Sequence, residues 1–251
     1  MTFLSLIIIG FVIGVFVIST GGGGAAFYLG VLTSLFHLSA PVAAATSLLT
    51  AFPSLVVGAY GHYRTGNIRF KVGNRMMISA IPAVVIGAWM APYIPIKIYT
   101  WIVAIILIVL GVQILIQHFF PSKSKDSNKK SSNDAVKASV FGAISGLMVG
   151  VAGLSGGGPI LAGLLLLNLD MVRAAATSSY VLVGTTGVGL LFHLSGGNVD
   201  WSIGLNLMIG AILGALVAPI LLAKVNPVKF NNYVRPVIGV LLVIMGLKMV
   251  L

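Results

Sequence analysis

The chain has 251 residues, of which 58% are hydrophobic and only 8% charged, and its mean hydropathy is +1.10. Soluble domains carry roughly 25% charged residues, so a soluble globular enzyme is excluded, and the absence of cysteine excludes a disulfide-stapled secreted domain. The net charge of +11 rests on 15 Lys and Arg against 4 acids, all Asp. Such a balance fits either a nucleic-acid binder or a polytopic membrane protein with cationic cytoplasmic loops, and the placement of the cations decides between them.

In chain order, an apolar run over 3–19 ends at Thr20-Gly21-Gly22-Gly23-Gly24, and a short apolar run covers 25–38. No basic leader precedes the first run, so it reads as part of the fold rather than as a signal peptide. Charge-free runs near 41–60, 76–96 and 98–119 follow, and a spanning helix needs about 20 apolar residues. A Ser/Asn/Lys-rich linker, 121–137, separates them from a run at 138–154. Then come Ser155-Gly156-Gly157-Gly158, a short run at 159–169, and long runs near 174–193, 202–223 and 236–251. Short apolar segments interrupted by glycine mark broken or re-entrant helices.

The cations cluster. Arg64, Arg69, Lys71 and Arg75 share one loop, Lys123, Lys125, Lys129, Lys130 and Lys137 lie in the linker, Arg173 stands alone, and Lys224, Lys229 and Arg235 share a late loop. Placing all of these on the cytoplasmic side leaves Lys97 and Lys248 outside, with both chain ends extracytoplasmic. The charge is therefore a topology signal, and nucleic acid is not an expected partner.

The segments 1–120 and 136–251 repeat one another. Ala43-Ala44-Ala45-Thr46-Ser47 matches Ala174-Ala175-Ala176-Thr177-Ser178, and at the same offset His62, Gly66 and Asn67 match His193, Gly197 and Asn198. Gly22-Gly23-Gly24 aligns with Gly156-Gly157-Gly158, and Gly87-Ala88 with Gly214-Ala215. The loop after His62 is cationic, whereas its counterpart after His193 carries only Asp200 before Trp201. Equivalent loops thus fall on opposite faces, as in an inverted-topology repeat. The expected fold is an all-α polytopic membrane protein of two such repeats, each a glycine-tipped broken or re-entrant helix pair followed by three transmembrane helices. The first repeat occupies 1–120, the cytoplasmic linker 121–137 and the second repeat 138–251.

Helix N-termini carry unpaired N–H groups and partial positive charge. Two of them, opened by Thr20, Gly21, Gly22, Gly23 and Gly24 and by Ser155, Gly156, Gly157 and Gly158, form a candidate site for a small anion. Pro159 follows the second run, where the first helical position favours proline. Thr46, Ser47, Thr177 and Ser178 are either pathway lining or inter-helix hydrogen bonders. His62 and His193 are candidates for proton coupling, or interfacial caps of their helices. Trp89, Trp101 and Trp201 read as interfacial anchors. Nothing points to a metal or a cofactor, and a cation carrier would be expected to place carboxylates within the membrane.

The glycine run Gly21–Gly24 before a short helix, the segment Gly153-Leu154-Ser155-Gly156-Gly157-Gly158-Pro159, and the doubled Ala-Ala-Ala-Thr-Ser resemble the sulfite exporter TauE/SafE family over nearly the whole chain. That resemblance implies a cytoplasmic-membrane permease of bacterial type, not an enzyme, moving sulfite or an organosulfonate outward, with the lipid bilayer as its surroundings and room for a homo-oligomer. Two other readings stand beside it. A passive anion channel needs the same electropositive tips. An intramembrane serine protease would use Ser155, in Gly153-Leu154-Ser155-Gly156, with His193 as base.

Overall fold

The computed structural model of the chain describes residues 3–20, 24–119, 134–154, 156–196, 199–224 and 227–250. Among them the regular structure is helical. The first half supplies α1 (Phe3–Thr20), α2 (Ala25–Ser34), α3 (Ala40–Arg64), α4 (Phe70–Met90) and α5 (Ile96–Phe119), with a 3-10 turn at Ala91–Tyr93. The second supplies α6 (Asp134–Ala152), α7 (Gly157–Leu166), α8 (Met171–Ser195), α9 (Trp201–Lys224) and α10 (Pro227–Lys248). Six described helices are long and apolar enough to cross a membrane. By contrast α2 and α7 have 10 residues each, about 15 Å of helix against a hydrocarbon core of about 30 Å.

Local chemistry fixes several boundaries. Ser39 is extended before α3, and a proline lies in that helix's first turn. Asp170 caps α8 by accepting a hydrogen bond from the Arg173 amide at 3.0 Å, and Asp200 does the same for α9 through the Ile203 amide at 2.9 Å. Two boundaries differ from the sequence expectation. Helix α6 begins at Asp134, inside the expected linker, because an acidic residue in the first turn complements the helix dipole. Helix α10 begins at Pro227, ahead of the apolar run near 236–251, since proline suits the first helical position. The linker residues 120–133 lie outside the described residues.

The packing ties the halves together. Helices α1 and α9 run side by side in the same direction: a Cβ on Gly10 or Gly14 would strike the backbone of Leu207 or Ala211, and one on Gly210 or Gly214 would strike that of Ile7 or Phe11. Helices α6 and α4 repeat the arrangement, with Gly142, Gly146 and Gly150 against the backbone of Met76, Ala80 and Val84. Small residues four apart let two helices approach closely where no hydrophobic force separates lipid from protein. Helices α5 and α10 pair in opposite directions, Gly111 facing Gly239 and Gly246 facing Ala104 and Ile108.

Helices α3 and α8 form the centre and are also antiparallel. The Thr46 hydroxyl, near the start of α3, accepts from the Asp200 amide beyond the end of α8 at 3.0 Å. Likewise Thr177, near the start of α8, accepts from the Arg69 amide beyond the end of α3 at 3.0 Å. The offset that aligns Thr46 with Thr177 also aligns Asp200 with Arg69. Gly204 packs on Leu49 and Thr46, and Gly73 packs on Tyr180 and Thr177, again at that offset.

These directions sort the charges. Arg64, Arg69, Lys71, Arg75, Lys137 and Arg173 sit at helix ends on one face, where α9 ends and α10 begins. The opposite face holds Asp200, Lys97 and Lys248, the start of α1, and the exposed Trp89, Trp101 and Trp201. Between the faces, exposed Ile78, Ile86, Ile105 and Val109 give the apolar surface a bilayer requires.

Candidate functional site: glycine tips and Thr-Ser pairs

Helix α7 starts on Gly156, whose φ of 61° lies in the left-handed region that glycine enters without a steric penalty. No side chain caps it. The preceding loop is held from two sides: the Ser145 hydroxyl of α6 donates to the Gly156 carbonyl at 2.9 Å, and the Ser47 hydroxyl of α3 donates to the Gly153 carbonyl at 3.0 Å. Gly153 is left-handed as well, with φ 63°, and a Cβ there would collide with Ala44. The Ala-Ala-Ala-Thr-Ser segment of the first half therefore meets the glycine loop of the second. This explains the alanine at position 44: any longer side chain there would displace Gly153.

Gly157, Gly158 and Pro159 form the first turn of α7. The proline is thus the third helical residue rather than the first. It fits there because the amides of the first turn have no intrahelical partner to lose. In the first half Gly24 caps α2 without a side-chain bond, and its carbonyl accepts from the Phe27 and Tyr28 amides at 3.0 and 3.2 Å. Gly24 is buried, and a Cβ on it would run into Val17. Gly21, Gly22, Gly23 and Ser155 lie outside the described residues, as does the side chain of Thr20, the last residue of α1.

Thr46, Ser47, Thr177 and Ser178 are fully buried. Three of the four bond across helices: Thr46 to Asp200, Ser47 to Gly153 and Thr177 to Arg69. The Ser178 hydroxyl has no partner among the described residues, and neither has that of Thr186 one helical face along α8. His193 is mostly buried, and its Nε2–H donates to the Gly150 carbonyl of α6 at 3.0 Å. That bond ties the end of α8 to the Gly150 step of the α4–α6 contact. His62 sits near the end of α3, half-buried.

Sequence reasoning missed Ser145, which clamps the α7 tip, and the loop backbone at Arg69 and Asp200. Ser145 adjoins Gly146 in a small-residue stripe, and that neighbourhood was its one local signal. The partners of Thr46 and Thr177 are more than 100 residues distant, so no local pattern announces them.

Among the described residues, ten α-helices, six of them long and apolar enough to cross a membrane, describe a polytopic membrane protein. Residues 6–249 match the sulfite exporter TauE/SafE family, and the chain belongs to that family. It is 30% identical to the probable membrane transporter protein YdhB of Bacillus subtilis over 237 residues, covering 93% of this chain and 92% of the relative. A second Bacillus subtilis relative, the probable membrane transporter protein YjnA, is 23% identical over 98% of this chain and 99% of its own length. The protein is a multi-pass membrane protein of a transporter family.

Proposed function

We propose that the protein is a secondary transporter for a small oxyanion, sulfite or an organosulfonate, working outward by alternating access. The observation that carries the anion is the start of α7. Its first-turn amides have no side-chain cap, the loop before it is fixed by Ser47 and Ser145, and the dipole of the helix favours negative charge there. Gly24 opens α2 in the same uncapped way. Backbone N–H groups and hydroxyls neutralise the anion in part, without the cost of a buried arginine.

The two halves act as inverted-topology repeats. The antiparallel α3 and α8 and their matched threonine bonds support this relation. The cation-bearing face is cytoplasmic by the positive-inside rule. The rocking bodies are not the sequence halves, because α1 is locked to α9 and α4 to α6 by backbone-close glycine contacts. One body comprises α1, α2, α3 and α9, the other α4, α6, α7 and α8. They meet along α3 and α8, where a proton site at His62 or His193 would sense the change.

Counterflow in proteoliposomes tests this reading. Unlabelled sulfite trapped inside should drive transient accumulation of labelled sulfite, saturating with concentration, while sodium or potassium should not exchange. Unitary currents in a planar bilayer would mean a channel instead. Ser155→Ala should keep part of the flux, whereas a protease would lose its activity altogether.

A further inference from the structure

The cation-bearing face contains a cavity of about 450 Å³ formed where the α3–α4 loop runs into the first turn of α4, Ile68 to Val72, and where the α7–α8 loop, Asn168 to Asp170, runs into α8 at Arg173. Arg69, Lys71 and Arg173 line it against a single carboxylate, Asp170, which pairs with the Arg173 guanidinium at 3.3 Å while capping α8. The loop carrying Arg69 is anchored by its own amide to Thr177, next to Ser178, so the cavity floor is tied directly to the central Thr-Ser pair.

The residues that line it have equivalents on the other face. His37 and Asn168 are the two non-glycine residues with positive φ among the described residues, 52° and 58°, and they occupy equivalent places in the two halves. At that offset Arg69 becomes Asp200, Lys71 becomes Ser202, Arg173 becomes Val42 and Asp170 becomes Ser39. One mouth therefore has three cations and one acid, whereas the equivalent positions on the other face hold no Lys or Arg and one acid, and Lys248 on that face donates to the Ser34 carbonyl at 3.0 Å.

We propose that the cavity at the cationic mouth is a capture site for small soluble oxyanions, and that the absence of its cations from the equivalent positions opposite makes loading from that face faster than from the other. This rests on the anion-transport reading. A surface potential of one sign raises the local anion concentration and the on-rate without contributing to the driving force. The gradient still sets net flux.

The chain has no cysteine, so single cysteines report local potential without background. Phe70→Cys, in the cavity, and Trp201→Cys, at the equivalent position on the other face, are each reacted with an anionic and a cationic methanethiosulfonate. Rates are normalised to a free thiol. Lys71→Cys and Ser202→Cys serve as a second pair where loss of the Phe70 contact to Tyr180 disturbs the fold. At low ionic strength the anionic reagent should be favoured about tenfold at residue 70 and not at residue 201. The preference should fall in Arg69→Gln/Arg173→Gln and vanish near 1 M salt, where the Debye length is about 3 Å. Sulfate, an oxyanion inert to the reagents, should slow labelling at residue 70 in both neutral and anionic vesicles. Equal ratios at the two mouths would overturn the proposal. So would slowing by anionic lipid with none by sulfate, which would assign the cavity to a lipid headgroup. Since labelling needs no flux, a failed counterflow experiment with this asymmetry intact would count against the transporter and not against the site.

Discussion

Asp170 and Asp200, two of the four acids in the chain, act as helix caps at the two mouths. Their equivalents, Ser39 and Arg69, make no side-chain cap bond, so each loop pair has one carboxylate cap. Removing it by Asp200→Ala should cost about 1 kcal/mol of stability in detergent, with Asp200→Asn retaining most of it. Thr46→Val and Thr177→Val strip the acceptor from a loop amide and should each destabilise by about 1 kcal/mol, read as a lowered unfolding midpoint. Gly153→Ala combines a left-handed φ with a collision against Ala44 and should cost at least about 2 kcal/mol. Gly61→Ala is the opposite case. Nothing stands near its Cβ position in α3, so helix propensity should raise stability by about 0.5–1 kcal/mol. Of these residues, Thr46 and Thr177 could be singled out from the sequence by their duplication, but not their partners, because a hydrogen bond across the fold leaves no trace in local pattern.

The helices themselves were legible, since hydropathy and the need to satisfy backbone groups in lipid leave few alternatives. Their pairing was not. A lipid-facing and a helix-facing isoleucine look the same in sequence, so only the small residues carried information. The four-residue spacings Gly10-Gly14, Gly210-Gly214 and Gly142-Gly146-Gly150 mark the α1–α9 and α6–α4 contacts. Leucine at Gly146 or Gly210 would have to displace the backbone of Ala80 or Ile7. Either variant should give little folded protein by fluorescence-detected size exclusion, whereas Gly61→Leu should express normally. The glycine tip illustrates a subtler limit. The run Gly156-Gly157-Gly158 predicts where α7 begins, but helix start and glycine run are out of step by two residues, because Gly156 alone takes the left-handed turn.

For the molecule as a whole, the same excess of Lys and Arg that suggests nucleic acid in a soluble chain separates the two faces here, and Arg69 against Asp200 condenses that difference into one pair of equivalent positions. Close glycine contacts pair helices from opposite halves of the chain, α1 with α9 and α4 with α6. Anion transport as proposed turns on backbone amides at the start of α7 holding a small anion. Proline is tolerated in the first turn of a helix and removes one amide, so Gly158→Pro compared with Gly158→Ala isolates that donor; the Cβ of either meets only the flexible end of Leu110 at 3.0 Å and Gln113 at 3.9 Å. Labelled sulfite flux in proteoliposomes, with insertion of both variants verified, is the measurement. Flux kept in Gly158→Ala and reduced more than about tenfold in Gly158→Pro is the predicted result, an effect on the order of a lost charge-assisted hydrogen bond; equal flux in the two would contradict it.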